Sequence, residues 1–207
     1  MRLALRVRDL VLTSWATDRE TVAKVLPFGL EPAPVGSEYL VSLVALAYEG
    51  GRVGPVPVPP FSQLNIRTYV AFRDEPAVFF LRAYVTPIGM GGILFGAPYR
   101  SARIRVRGDC VEAPALGVSL KFETGEPAEP AELARLGRHE LGLFEAAGLR
   151  GFRVQRGAAE WQRAVALGTP RADVLLALGF DVARPSSIFH ARHASFETEV
   201  PPRRLDS

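Results

Sequence analysis

No part of this sequence leaves the backbone less freedom than the stretch from Gln63 to Phe72, QLNIRTYVAF. Gln63, Asn65, Arg67 and Tyr69 fall on one side of it, and Leu64, Ile66, Thr68 and Val70 on the other. Successive side chains point to opposite sides only in extended backbone, whereas a helix would scatter both sets around its circumference. The stretch therefore predicts a strand with one polar and one apolar face. Asp74, Glu75 and Pro76 supply a turn and Val78 to Thr86 (VFFLRAYVT) a returning strand, so a hairpin is expected.

The rest of the chain repeats this grammar of short extended runs between turn residues. Leu3 to Leu12 alternates apolar with basic residues and suits a half-exposed opening strand. Thr17 or Asp18 can cap a short helix whose apolar face is Val22, Val25 and Leu26 and which Pro27 and Gly29 stop. Tyr39 to Tyr48 (YLVSLVALAY) is apolar enough for a buried strand, and the prolines of Gly54 to Pro60 (GPVPVPP) predict a stiff exposed connector. Gly89, Gly91, Gly92 and Gly96 punctuate the next segment, and Tyr99 to Arg107 then resumes alternation as one strand. Strands are expected near Val111, from Val118 to Glu123 and from Phe152 to Arg156. Helical turns are expected between Pro127 and Gly148. Thr169 and Pro170 predict a helix through Leu178 ended by Gly179, then a last strand from Ile188 to Val200 and a frayed tail. Many short strands with few helices make a mainly β (α+β) chain, an antiparallel sheet or barrel packed against two or three helices.

Composition narrows the setting. A chain of 207 residues needs no second domain, so residues 1–207 are read as one unit. No apolar run is long enough to span a membrane, and the single cysteine, Cys110, allows no internal disulfide or cysteine-based zinc site. A cytoplasmic protein without membrane association is expected. Of 25 basic residues only Lys24 and Lys121 are lysines. The net charge of +3 is spread without a basic block, which argues against a nucleic-acid partner.

Three stretches in order carry a family resemblance: LPFGLEP from Leu26 to Pro32 followed by YLVSLVAL, FSQLNIRTYV from Phe61 to Val70, and FGAPYRSARI from Phe95 to Ile104. Together they resemble the YqjF-like family of the acetoacetate decarboxylase superfamily, over roughly the first half of the chain. The resemblance implies an antiparallel β-cone or barrel around an internal pocket, commonly in a homo-oligomer. In the superfamily's decarboxylases a proline is followed by two adjacent lysines, one of which forms a Schiff base with the keto acid. Here the matching stretch is Ala97-Pro98-Tyr99-Arg100. Imine formation needs a neutral primary amine, which neither a phenol nor a guanidinium supplies, so decarboxylase activity is expected to be absent. Gln63 stands where many relatives carry a glutamate, and an amide cannot shuttle protons. Lys24 reads as the wet side of its helix, and Lys121, sharing a face with Ser119 and Glu123, reads as a solvated edge.

The candidate site follows. Gln63, Asn65, Arg67, Arg82 and Tyr84 are the candidate ligand-binding residues, Arg67 supplying a fork for a small organic anion. Tyr99 and Arg100 occupy the chemical position. Against this, the polar face of the strand could point outward, and Arg100 could be a surface residue. Two further readings stand beside a binding protein: an enzyme using Tyr99 as acid or base between arginine clamps, and an interaction module whose pocket is filled by its own side chains. His190 and His193 would point apart on a strand and His139 stands alone, so neither a metal nor a cofactor is expected. Ser186 and Ser187 lack a nucleophile-elbow context, and Trp15 and Trp161 read as packing residues.

Overall fold

The computed structural model describes residues 1–86, 98–137 and 139–205. Its strands are β1 (Arg2–Thr17), β2 (Glu31–Pro32), β3 (Tyr39–Val53), β4 (Val56–Val58), β5 (Phe61–Phe72), β6 (Glu75–Thr86), β7 (Arg100–Ser101), β8 (Arg105–Arg107) and β9 (Cys110–Ala113). They continue as β10 (Val118–Pro127), β11 (Leu141–Glu145), β12 (Leu149–Arg156), β13 (Trp161–Ala166), β14 (Arg171–Ala172), β15 (Ser187–Ala191), β16 (Ala194–Glu199) and β17 (Arg203–Arg204). The helices among the described residues are α1 (Arg19–Val25), α2 (Pro130–Gly137) and α3 (Asp173–Leu176), with a 3₁₀ turn at Pro114–Leu116.

Pairing closes a barrel. The strands β1, β3, β5, β6, β11, β12 and β16 each pair with the next, and β16 returns to β1. All of these pairings are antiparallel except β6 with β11. A flap grows from the same opening strand. Residues Arg2–Val7 of β1 pair with β16 inside the barrel, whereas Leu10–Ser14 pair with β15, which continues through β13, β10 and β9 to β8. The switch falls beside a register irregularity between Val7 and Asp9, where a bulge lets one strand serve two sheets.

Two cores result. Leu10, Leu12, Val44, Leu46, Tyr48 and Tyr69 point into the barrel, while Val11, Val41, Leu43, Leu64, Ile66 and Val70 pack outward against the flap with Phe122 and Phe180. Strands β1, β3 and β5 are therefore covered on both sides over most of their length, which is why YLVSLVALAY is continuously apolar instead of alternating.

Several local expectations are corrected. The β5–β6 hairpin turns at Arg73 and Asp74, both at positive φ, so Glu75 and Pro76 already belong to the returning strand. Tyr99 to Arg107 is two short strands and not one. The proline-rich connector pairs over Val56–Val58 with β3. Among the described residues between Pro127 and Gly148 only Pro130–Gly137 is helical, and Gly142 lies in β11, where a Cβ would stand 2.8 Å from Phe152 and 2.9 Å from Phe80. The helix expected from Thr169 is a single turn, Asp173–Leu176, without a side-chain cap, because Arg171–Ala172 pairs with β10. The last strand breaks at Arg192 and His193, and the tail pairs through Arg203–Arg204 with β12. Asp18 does cap α1, accepting from the Thr21 amide at 2.7 Å. The glycines at 89, 91, 92 and 96 lie outside the described residues.

Candidate functional site

The parity of β5 decides what faces the barrel interior. Ile66 and Leu64 lie in the outer core, so Gln63, Asn65 and Arg67 turn inward, and all three line a cavity of about 800 Å³. The neighbouring β6 adds Val78 and Phe80, β12 adds Phe152, Val154 and Arg156, and β16 adds Ala194, Phe196 and Thr198. Each set is spaced by two residues, as extended strands require.

A cationic cluster occupies one part of this chamber. Arg67 and His139 are 9% and 8% exposed, and both contact the buried Tyr69 ring. The Arg67 guanidinium carbon lies 5.7 Å from the ring centroid, and the His139 ring meets Tyr69 edge-on at 4.9 Å. Arg156 donates from Nη2 to the His139 backbone oxygen at 2.9 Å. Tyr69 is anchored by Ser42, whose hydroxyl lies 3.0 Å from the phenol and 2.8 Å from Ser14. No ion pair neutralises Arg67 or Arg156 among the described residues, and Arg67 Nε and His139 Nδ1 are buried without hydrogen-bond partners. The electrostatics record the crowding. Burial, reinforced by Arg67 and Arg156, pushes His139 down to about 4, and burial with Arg67 lowers Arg156 to about 10, against a weaker pull from Tyr69 and Glu140. His139 is therefore neutral at pH 7.

A second, uncharged cluster sits farther along β5. Gln63 Nε2 donates to Asn65 Oδ1 at 2.8 Å and to the Tyr99 hydroxyl at 3.2 Å. Burial raises the Tyr99 phenol, which the Gln63 bond only partly offsets. Burial also raises Tyr48, and Tyr99 adds to that shift. Both phenols are held protonated. Tyr48 is fixed by stacking on Phe61 at a centroid distance of 4.2 Å.

The remaining candidates separate by position. On its outer edge β6 pairs with β11 at Ala77–Phe79 and with β7 at Tyr84–Val85, which leaves residues 80–83 without a strand partner there among the described residues. The register shifts at the same place, between Ile66 and Arg67 of the facing strand. Cavity-lining residues continue outward past this interval to Leu81, Arg82, Val25, Pro27 and Leu178, so the chamber opens through the wall. Arg82 and Arg100 are exposed and stand at this opening, not inside. Tyr84 is a correction: it pairs with Leu64 and is buried in the outer core, on the face opposite Arg67. Phe95 to Ala97 of the third motif lie outside the described residues.

Neither lysine lines the chamber. Lys24 pairs with Glu20 on the exposed side of α1 at 3.0 Å, and Lys121 is exposed on β10. His190 is buried against Asp9 at 3.2 Å on the outer side while His193 is exposed, and no cluster of three metal-ligating residues occurs among the described residues. No helix among them is long and apolar enough to cross a membrane. Sequence reasoning missed Arg156 and the role of His139's surroundings. The signal for Arg156 was its parity with Phe152 and Val154, a cation ending an apolar strand face. Trp161 and the aromatic wall carried no comparable mark.

Comparison with known proteins agrees with this architecture. The family model for DUF2071, an uncharacterized conserved protein, matches residues 4–191. Among solved structures, an acetoacetate decarboxylase-like enzyme from Sphingomonas wittichii RW1 superposes with a TM-score of 0.68 at 12% identity, covering 100% of this chain and 93% of its own. Acetoacetate decarboxylase from Legionella pneumophila gives 0.67 at 11% identity, covering 99% of this chain and 87% of its own. The enduracididine biosynthesis enzyme MppR, complexed with pyruvate, gives 0.62 at 13% identity, covering 100% and 91%. A comparison with curated proteins finds no match.

Proposed function

Since the chain belongs to the DUF2071 family and has an acetoacetate decarboxylase-like fold, we propose that it is a binding protein for a small organic anion, without Schiff-base chemistry. One observation carries the reading. Arg67, buried, and Arg156, more exposed, line one largely apolar chamber, and no carboxylate is bonded to either among the described residues, although Glu140 and Glu145 also line it. Burying Arg67 without a bonded counter-ion is costly and Arg156 repels it, so an anionic ligand bound between the two relieves both penalties, in competition with the pull of Glu140 on Arg156. Neutral His139 offers a further nitrogen beside them.

Arg82 and Arg100, at the opening, draw anions toward the chamber by long-range attraction. Gln63, Asn65 and Tyr99 meet any second polar group that the bound molecule carries away from its anionic head. The enclosed phenol of Tyr99 is protonated, which suits a hydrogen-bond donor to an oxyanion better than a general base. Chemistry through an imine is set aside because both lysines lie away from the chamber. The test is a thermal-shift screen against keto, aliphatic and aromatic acids, repeated on the Arg67→Met, Arg156→Met double variant. Stabilisation of the native protein that the variant lacks is expected. No stabilisation by any anion overturns the proposal, and turnover abolished by Tyr99→Phe in a folded protein replaces it with an enzyme.

A further inference from the structure

The dimensions of the chamber narrow the ligand class. At about 30 Å³ per water-sized group, a four-carbon keto acid of seven non-hydrogen atoms fills about a quarter of a cavity of about 800 Å³. Most of the remaining wall is hydrocarbon, with the exposed Glu140 and Glu145 among its few charged members. Phe80 stacks on Phe152 at 5.6 Å, Phe144 lies 6.1 Å from Phe152, and Phe196 and Trp161 complete an aromatic side that faces Leu10, Leu12, Val44 and Leu46. Water left against such surfaces has few partners, and an apolar group that displaces it gains affinity.

The polar groups are too few and too committed for a hydroxyl-rich guest. Gln63 already serves Asn65 and Tyr99, so a sugar or polyol body would leave many of its hydroxyls unpaired. The cations are gathered at one place around Tyr69, with Arg67 over the ring and Arg156 joined through His139. One charged head and one long apolar body match that division.

We propose that the natural ligand is a monocarboxylic acid with an extended apolar body, a medium-chain aliphatic or arylalkanoic acid. Its carboxylate lies between Arg67 and Arg156, and its body runs along Phe80, Phe144, Phe152 and Phe196. This rests on the anion-pocket reading and adds a class to it.

Titration calorimetry of the intact protein at pH 7 with butanoate, hexanoate, octanoate, decanoate and 4-phenylbutanoate tests it, with pyruvate, citrate and octanol as comparators. Trp161 fluorescence gives an independent readout from the chamber wall. Each added methylene is expected to tighten binding about threefold until the chamber is full, close to the transfer free energy of a buried methylene. Octanol, which lacks the carboxylate, is expected to bind at least about tenfold more weakly than octanoate. Pyruvate or citrate binding as tightly as octanoate, or octanol matching it, overturns the chain-length inference while leaving an anion pocket in place. Absence of binding by every acid removes both.

Discussion

The two faces of β5 are equally deep and differently made. On the outer face Leu64, Ile66 and Val70 are fully buried and meet other side chains, with Thr68 donating to the Leu40 carbonyl at 2.8 Å. On the inner face Gln63, Asn65 and Arg67 are buried to within a few per cent of the same degree, yet they border open space. The contrast teaches that burial alone does not mark a core. The outer face spends its side chains on cohesion, and the inner face keeps polar groups where a folded protein alone gains little from them.

The sharpest way to break this contrast is to shorten one residue on each face. Leu64→Ala is expected to cost about 3 kcal/mol of unfolding free energy, the usual range for an enclosed leucine whose surroundings cannot collapse. Urea unfolding measures it. Arg67→Met, three positions along the strand and on the other side of the sheet, is expected to leave stability unchanged or raise it by about 1 kcal/mol, because it removes a buried cation facing Arg156. The same substitution is expected to weaken carboxylate binding at least about tenfold. If Arg67→Met unfolds the protein as Leu64→Ala does, the inner face is structural and the distinction fails.

A smaller effect comes from His139, flanked by Arg67, Arg156 and Glu140 and capped by the Tyr69 ring. Its folded value of about 4 lies below the ordinary imidazole value of 6.5, so the unfolded chain binds the proton more tightly. Stability from this group is therefore full above about pH 6.5 and lost as pH falls toward 4, with a slope of at most about 1.4 kcal/mol per pH unit. His139→Gln is expected to flatten that segment. Carboxylates lowered by hydrogen bonds, such as Glu75 beside Arg153, also lose stability in acid, but they are common to both proteins and cancel in the difference. Equal slopes for the two proteins would show that the imidazole is solvated.

Much of this arrangement was legible before any coordinates. The alternation of β5 fixed which residues share a face, because a strand offers only two, and the resemblance fixed the barrel around it. Period two could not say which face is inside when both are covered. Nor could it show the bulge in β6, which breaks parity between Phe80 and Tyr84 and sends Arg82 to the opening and Tyr84 to the outer core. Arg156 was out of reach for another reason. Its partners Arg67 and His139 come from β5 and from the segment after α2, so the cluster exists only once the barrel closes. The helix expected after Thr169 failed because pairing of Arg171–Ala172 with β10 took the residues that would have formed its first turn.

The bulge also supplies the finest discrimination between the two faces, with tyrosines 15 positions apart as probes. Tyr99 reaches the chamber and accepts from Gln63, so Tyr99→Phe removes an oxygen from the polar cluster and is expected to weaken binding of an acid with a hydroxyl at its far end about fivefold, the worth of one hydrogen bond. Tyr84 sits across the sheet, paired with Leu64, and has no surface on the chamber. Tyr84→Phe is expected to leave affinity within about twofold, as for sites that share no partner. Calorimetry with 8-hydroxyoctanoate on both variants measures the difference directly. A fivefold loss in Tyr84→Phe together with an unchanged Tyr99→Phe would mean that β6 continues past Leu81 in unbroken alternation and that the chamber lies on the other side of the sheet.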